Sequence, residues 1–369
     1  MDRYTEVTRT GCLGNFFNSI VAALIGLALF IGAFPLIWFG EGRTNLAQVA
    51  ATSLIVGPGQ ADAANEGKLI AVTGQLQASP LGDSPYLRPG AYLRLERTAE
   101  MYAWVEHEHT KTHDTTGGGT RTERTYTYSK EWTAHPESGE GFHVAQGHRN
   151  PAQPVTSARL SASEGQIGTY DLDLDQLELP SGDDLALTAS MVGAESNARL
   201  IGSHYLFQGK GSLDTPTLGD VRISYQALPN GTSLTVFGAQ HASQLIAYST
   251  PKGDRLYRGL EGDRAAAIKQ LQTEDTITDW IIRLAALLLM WAGLSMTLGP
   301  INAAVGILPI IRQAGGCLIG LVTLAVAVPI WAATVLVAIV AHNIWLMIAV
   351  ALLVAGGAVV LLKRRKVLA

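Results

Sequence analysis

The chain has 369 residues, of which 47% are hydrophobic and only 16% are charged. Soluble domains usually carry about a quarter charged residues, so this composition excludes an ordinary water-soluble protein. The net charge of −4 argues against a nucleic-acid partner, because phosphate binding requires a basic face. A count of two cysteines excludes both a disulfide framework and a four-cysteine zinc site.

Four apolar runs are long enough to cross a bilayer, which requires roughly 20 helical residues. They lie at residues 16–39, 280–298, 317–340 and 344–362. The first run is too long for the apolar core of a signal peptide, and Pro35, Trp38 and Glu41 stand where a cleavage site would be expected. It is therefore predicted to be a retained anchor. Residues 40–279 are polar enough to form one large domain in water.

Basic residues near the spans predict the orientation. Arg3 and Arg9 precede the first span, Arg312 lies between the second and the third, and the tail 363–369 carries four more. By the positive-inside rule these flanks are cytoplasmic and the domain is extracytoplasmic. The predicted cytoplasmic parts are residues 1–15, residues 299–316 and residues 363–369. Within the second of these, the apolar stretch 301–311 either lies flat in the interface, which is the favoured interpretation, or extends the second span. The domain carries 19 basic and 29 acidic side chains, so anionic headgroups would repel it.

The clearest pattern in the domain is a long hairpin. Strand-forming residues run through 101–111 and 121–132, with a glycine turn at 117–119 between them. Further strands are predicted at residues 67–76, 91–97, 203–208, 220–227 and 233–238. An Asn230-Gly231 pair supplies the tight turn before the last of these strands.

Helical periodicity is rarer in the domain. Short helices are predicted at 156–164 and 171–179, and an amphipathic helix over 262–279 runs directly into the second span. The predicted fold is therefore a polytopic α-helical membrane protein with four spans and a large α+β, mainly antiparallel-β, extracytoplasmic domain.

His107, His109 and His113 form a histidine cluster whose members share one face of an extended strand. Imidazoles at this spacing could bind a metal ion, but no further ligand follows at a fixed spacing. Exposed structural histidines are the favoured interpretation, and no metal or cofactor is predicted. The sequence contains no nucleophile elbow, P-loop or dinucleotide fingerprint, and no catalytic residue is predicted.

Four residues of the spans are candidates for anchoring or helix packing. Arg283 is the single ionisable residue inside a span and lies one turn from Trp280. It either extends to the interface as an anchor or contacts another helix. Gly316 and Gly320 form a small-xxx-small pattern at the start of the third span, which allows two helices to approach closely.

Several separate segments match one known family in the same order. They are Glu41-Gly42-Arg43, residues 65–69, residues 100–106, residues 126–132, Gly147-His148-Arg149-Asn150-Pro151, residues 219–225, and Trp280 with Arg283. In these segments the chain resembles the transmembrane protein 43 family, also called LUMA. The likeness covers nearly the whole chain, and it transfers no catalytic residue.

The resemblance implies a protein of the endoplasmic reticulum and inner nuclear membrane that self-associates, contacts lamins and emerin, and helps to organise that membrane. A role in ion conduction has also been proposed for the family. The alanine-rich composition, with arginine in excess of lysine, suits a bacterial member in the inner membrane with a periplasmic domain, for which lamin and emerin contacts do not apply. The chain lacks the longer hydrophilic amino-terminal tail of animal members.

Three classes of function follow from these observations. The leading prediction is a non-enzymatic, self-associating scaffold that contacts the lipid bilayer and other membrane proteins but no nucleic acid. The alternative is an oligomeric ion channel or transporter gated by the helix over 262–279. A metal-dependent enzyme or sensor built on the three histidines is the third class.

Overall fold

The computed structural model describes residues 3–59, 61–115, 119–301 and 309–352. The chain divides into two compact units. We call the first the β-unit; it consists of Met1–Glu6, Thr44–Thr110 and Arg124–Thr273. We call the second the helical unit; it consists of Val7–Arg43, Lys111–Glu123 and Glu274–Ala369.

Most of the described chain outside the apolar runs is β-strand. The helices are α1 (Cys12–Glu41), α2 (Leu46–Ala51), α3 (Arg264–Thr297) and α4 (Pro309–His342), with a 3-10 turn at Ala63–Asn65 and a further helical segment at 344–352. The strands are β1 (Arg3–Thr10), β2 (Leu54–Val56), β3 (Leu69–Ala78), β4 (Leu81–Asp83), β5 (Leu87–Gly90), β6 (Tyr92–Thr115), β7 (Gly119–Thr133), β8 (Ala158–Ser161), β9 (Glu164–Ile167), β10 (Tyr170–Asp173), β11 (Asp183–Asp184), β12 (Arg199–Ile201), β13 (Tyr205–Gln208), β14 (Val221–Pro229), β15 (Ser233–His241), β16 (Gln244–Ile246), β17 (Tyr248–Ser249), β18 (Arg255–Leu256) and β19 (Arg258–Glu261).

The first large sheet has eight strands in the order β1-β7-β6-β14-β13-β12, with β8 beside β6 and β11 beside β14. Alternate residues of β6, among them Ala99, Met101 and Ala103, point into a buried core against Val221 and Ile223 of β14. The predicted hairpin is present as β6 and β7. The two strands predicted at 91–97 and 101–111 are one continuous strand, because alternation is unbroken between them.

The second large sheet closes on itself. β3 pairs with β15, β15 with β16, β16 with β10, β10 with β9, and β9 with β3 again. Apolar residues at every second position of these strands fill the inside of this ring, among them Val72, Ile167, Leu172 and Val236. The closed pairing leaves few free strand edges and gives the β-unit a core of its own.

Two helical segments cover the outer surface of this closed sheet. Ala47 and Ala50 of α2 and Ala267 and Leu271 of α3 pack in one buried cluster with Phe237 of β15. The predicted helix over 262–279 is therefore present as the first part of α3, which continues without a break to Thr297.

Two predicted helices in the domain are wrong. Residues 156–164 and 171–179 contain β8, the start of β9 and most of β10. Their apolar residues are buried at a period of two rather than 3.6, as Tyr170, Leu172 and Leu174 show. Gly168, with φ of +62°, lies between the two predicted segments and makes the tight turn that joins β9 to β10.

Three helices of the described chain are long and apolar enough to cross a membrane, within Phe17–Ala51, Arg264–Ile301 and Leu318–His342. The fold is thus membrane-spanning helices with a large, mainly antiparallel-β domain. The segment 344–352 is helical, but the rest of the fourth predicted span and the basic tail lie outside the described residues, as do residues 302–308 of the predicted interfacial loop. The span count and the side of the domain stay predictions.

Candidate functional site

One bidentate ion pair joins the end of α1 to the middle of α3. Nε of Arg283 is 2.6 Å from Oε1 of Glu41, and Nη2 is 2.9 Å from Oε2. The two side chains are only 19% and 10% exposed. A planar guanidinium matches a carboxylate at both nitrogens, so the pair fixes the direction of each side chain as well as the distance. In the structure Arg283 therefore contacts a second helix, the second of the two alternatives that the sequence left open.

A second, more exposed ion pair lies one turn away. Nη2 of Arg43 is 3.0 Å from Oδ1 of Asp279, and about a third of each side chain is exposed. The half-exposed ring of Trp280 lies 5.5 Å from Cζ of Arg283, which adds a cation–π contact. The family-like segments at Glu41 and Arg283 are 242 positions apart in the chain and meet at this cluster, which we call the ion-pair junction.

Two tryptophans connect α3 and α4 in opposite directions. Nε1 of Trp331 on α4 donates to the backbone oxygen of Arg283 on α3 at 2.8 Å. Nε1 of Trp291 on α3 donates to the backbone oxygen of Gly320 on α4, also at 2.8 Å. An indole N–H in an apolar bundle requires an acceptor, so these bonds both satisfy the donors and fix the two helices side by side.

One close helix approach is made by glycines that sequence reasoning did not single out. A Cβ placed on Gly26 of α1 would lie 2.6 Å from Cβ of Met296, and one on Gly293 of α3 would lie 2.6 Å from the oxygen of Gly26. By contrast, a Cβ on Gly320 would meet no atom within 4 Å. Gly316 lies in the first part of α4, and its role in packing stays a prediction. The available signal was a glycine in each of two apolar runs, which is too common to identify a pair.

The family-like segment at 147–151 is fixed to β6 in the β-unit. Oδ1 of Asn150 accepts the backbone N–H of Trp104 at 2.7 Å, and its Nδ2 donates to the backbone oxygens of Trp104 and Glu137, each at 2.8 Å. The side-chain amide of Asn150 thus bonds to the backbone of Trp104 as a neighbouring strand would, and it fixes the 147–151 loop to β6. Gly147, at the start of this segment, has a φ of +87°, which marks a tight turn that favours glycine.

A buried histidine of the same segment lies in a cluster of aromatic rings. His148 is 2% exposed, its ring stacks on Tyr128 at 4.0 Å and meets Trp104 edge-on at 4.7 Å. The hydroxyl of Tyr128 donates to Oε2 of Glu106 at 2.6 Å. Burial, together with this bond to Glu106, raises the pKa of Tyr128 to about 12. The phenol therefore stays protonated and serves as a hydrogen-bond donor at any physiological pH.

The segment 219–225 begins with a buried carboxylate. Asp220 is 2% exposed and accepts hydrogen bonds from the backbone N–H groups of Lys210, Gly211 and Thr217 and from the Thr217 hydroxyl, at 2.7–3.1 Å. Burial acts to raise the pKa of Asp220, but the bonds from Thr217, Lys210 and Gly211 outweigh it and leave the pKa below its usual value.

Two of the family-like segments meet at the start of β14. The backbone N–H of Gly219 donates to the oxygen of Tyr102, and the N–H of Tyr102 donates to the oxygen of Asp220. Gly219 has a φ of +90°, and a Cβ there would lie 2.8 Å from Cγ of Pro151. The backbone path at the start of β14 thus depends on a glycine at position 219.

The three candidate histidines do not converge on a metal site. All three are exposed on β6. Nε2 of His107 lies 2.7 Å from Oε1 of Glu131 on β7, and bonds from Ser129 and His107 lower the pKa of Glu131. Across the described ranges, no group of three or more His, Cys, Asp or Glu side chains is placed to hold a metal ion.

The apolar helices, the buried ion pair between them and the large antiparallel domain define a helical membrane protein with a substantial water-exposed domain. The family model described as Transmembrane protein 43 matches residues 101–344, which is more than half of the chain. The chain belongs to the Transmembrane protein 43 family.

Individual relatives agree with this assignment. Transmembrane protein 43 of Mus musculus is 28% identical over 334 residues, covering 84% of this chain and 82% of the mouse protein. The Homo sapiens protein is 28% identical over 329 residues, covering 83% of this chain and 80% of the human protein. The Drosophila melanogaster homolog is 26% identical over 243 residues, covering 63% of this chain and 64% of the fly protein. No solved structure matches the chain.

Proposed function

We propose that the protein is a non-enzymatic, self-associating membrane scaffold that holds membrane proteins or membrane assemblies together. The observation that carries this proposal is the use of polar side chains in the helical unit. Glu41 with Arg283, Ser295 with Thr323 at 2.7 Å, and the two tryptophans are all engaged between helices. Polar groups paired in this way stabilise a fixed bundle, whereas a conducting pathway would need them to face a common water-filled axis.

The membrane and its side are part of the proposal. The basic tail at 363–369 favours a cytoplasmic carboxyl terminus and an extracytoplasmic β-domain. We place the protein in a bacterial inner membrane with a periplasmic domain, or in the endoplasmic reticulum or inner nuclear membrane if its source is eukaryotic. The partners are lipid, further copies of the chain and other membrane proteins.

A conduction function is the competing hypothesis. The observation behind it is that α3 is a single helix. Its residue Ala267 belongs to a buried cluster of the β-unit, and its residue Met290 belongs to a buried cluster of the helical unit. Movement of one cluster could reach the other along such a helix. This remains the second candidate because Glu41 with Arg283, and Ser295 with Thr323, are paired between helices.

Native mass spectrometry of the full chain in lipid nanodiscs and in several mild detergents tests the scaffold. We expect oligomers in each medium. Monomers alone in all of them would refute self-association. The same preparation reconstituted in planar bilayers should give no current above protein-free controls, whereas reproducible single-channel steps would favour conduction.

A further inference from the structure

The strands of the closed sheet in the β-unit follow a known connectivity. In chain order they are β3, β9, β10, β15 and β16, and around the sheet they lie in the order first, second, third, fifth, fourth. The third and fifth strands, β10 and β16, are parallel, and the other neighbouring pairs are antiparallel. This is the connectivity of the OB-fold, a Greek-key barrel that binds oligomeric ligands on the face of its second and third strands and at adjoining loops.

A groove lies on this face of the closed sheet. It has a volume of about 1240 Å³ and is lined by β9, β10, residues 77–79 and residues 244–247. Residues 77–79 end the first strand, and residue 244 directly follows the loop between the fourth and fifth strands. We call this cavity the outer groove. Sites for one small molecule are usually about 300–1,000 Å³, so the outer groove has room for an oligomer.

Polar side chains of the outer groove are connected by hydrogen bonds. Nε2 of Gln166 donates to Oδ1 of Asp171 at 2.8 Å, and Nε2 of Gln176 donates to Oδ2 of Asp173 at 2.6 Å. Nη2 of Arg255 donates to Oε1 of Gln176 at 3.1 Å. These bonds fix the directions of the side chains, so less conformational entropy is lost when a ligand binds. Each amide and carboxylate has several donor or acceptor sites, and those outside this network can bind hydroxyl groups.

The charge of the outer groove argues against a nucleic acid. The described residues that line it include four carboxylates, from Glu164, Asp171, Asp173 and Asp175, and one guanidinium, from Arg255. Affinity for nucleic acids comes largely from basic side chains that neutralise phosphates, and an acidic groove repels phosphates instead. Oligosaccharides are the other ligand class of OB-folds, and their hydroxyls need donors and acceptors rather than positive charge.

The strand pairing argues against an extended peptide. Such peptides commonly bind by adding a strand to a free sheet edge, but β9, β10 and β16 are each paired on both sides. We propose that the outer groove binds an oligosaccharide that is neutral or carries amino groups. The topology and the groove locate this site, and its charge selects the ligand. Binding here goes beyond the scaffold function and does not depend on self-association.

A glycan array tests the ligand class. The full chain in fluorescently labelled lipid nanodiscs is applied to immobilised neutral, amino-bearing and acidic tetrasaccharides, with empty nanodiscs as the blank. A thymidine oligonucleotide and a tetralysine peptide are immobilised on the same surface. We expect the strongest binding to neutral or amino-bearing tetrasaccharides. The proposal is overturned if neither of these binds, or if an acidic tetrasaccharide, the oligonucleotide or the peptide binds at least as strongly.

Substitutions locate the binding site. Gln166→Ala on β9 and Gln244→Ala on β16 each remove an amide of the outer groove, whereas Gln75→Ala removes an exposed amide of β3 that does not line it. We expect each groove substitution to raise the Kd for the best tetrasaccharide about 10-fold, because a bound hydroxyl loses its partner. Isothermal titration calorimetry of the full chain in nanodiscs measures the Kd, and the Tm of each variant reports on the fold.

The control should leave the Kd unchanged. A Kd that neither groove substitution alters places the ligand elsewhere and refutes the proposal. An equal rise in Gln75→Ala also counts against it, because that amide lies outside the outer groove.

Discussion

At the scale of single residues, the contact that Arg283 makes could not be predicted from the sequence. An arginine near the end of an apolar run can reach the interface or pair with another helix, and the sequence permits both. The choice depends on Glu41, whose carboxylate is brought within 2.6 Å although it is 242 positions away. Burial then makes the pair mutually dependent, because removing one charge leaves the other without compensation.

We predict that Arg283→Gln destabilises the helical unit by about 3–5 kcal/mol, the usual cost of leaving a buried charge unpaired. Arg43→Gln is the matched control, because its ion pair is about one-third exposed and should cost about 1 kcal/mol or less. Thermal unfolding in detergent, followed by helical circular dichroism, measures both. Equal losses in the two variants would contradict the assignment, whereas partial recovery in Glu41→Gln with Arg283→Gln would support it.

Asp220 leads to a prediction about pH. Its folded pKa lies below the value of about 3.9 in an unfolded chain, so the ionised form contributes stability that is fully present above about pH 4. That contribution disappears as the pH falls through the folded pKa. Asp220→Asn should therefore lower the Tm of the β-unit clearly at pH 7, with a difference from the parent protein that shrinks below pH 4. Asp214→Asn, at an exposed position, is the control; a constant difference at all pH values would refute the prediction.

At the scale of elements, helix packing is decided by surfaces that only the assembled bundle defines. Gly320 fits a known packing pattern, yet a Cβ there would meet nothing within 4 Å, while Gly26 and Gly293 touch each other's helices. A spacing pattern records which residues share a helix face, but not which face meets a neighbour.

Gly26→Leu should therefore destabilise the helical unit by about 1–3 kcal/mol or more, because the added side chain forces α1 and α3 apart. Gly32→Leu on the same helix is the control, since Gly32 is exposed and has open space around it. The Tm in a mild detergent measures both changes. A loss of Tm in Gly32→Leu that equals the loss in Gly26→Leu would show that helix propensity, rather than close packing, is responsible.

The positions of most long strands, unlike the contacts between helices, could be predicted from the sequence. The hairpin of β6 and β7, and the strands β3, β13, β14 and β15, follow the positions predicted from alternation. The short strands β8, β9 and β10 were mistaken for helices because four-residue segments carry too few positions to separate a period of two from one of 3.6. Their strand form comes from pairing with residues far away in the chain, such as Leu172 with Leu245.

At the scale of the whole molecule, the two compact units have separate buried cores. The core of the β-unit is built from strands in water, and that of the helical unit from apolar helices. Urea weakens burial in water, whereas helices held in a detergent micelle resist it. We therefore expect two transitions in urea, with the β-sheet signal lost first and the helical signal retained.

A variant of Asp83 tests the separation of the two transitions. Asp83 is 5% exposed and its carboxylate is held by Nη1 of Arg97 at 2.6 and 2.7 Å and by the Tyr225 hydroxyl at 2.6 Å. Asp83→Asn should shift the first transition to lower urea, by about 3 kcal/mol, and leave the second unchanged. Arg283→Gln should have the reverse pattern. A single transition that both variants shift would refute independent units.

The sequence by itself determined the membrane class, the large antiparallel-β domain between the first and second spans, and the family. Runs of apolar residues and alternating strands are local patterns, and solvent or lipid selects them wherever they occur. The tertiary structure decided which glycines touch, that Glu41 is the partner of Arg283, that the second sheet closes on itself, and that β1 joins the first. Each of these depends on residues that are distant in the chain and meet only after folding, and no local pattern contains that information.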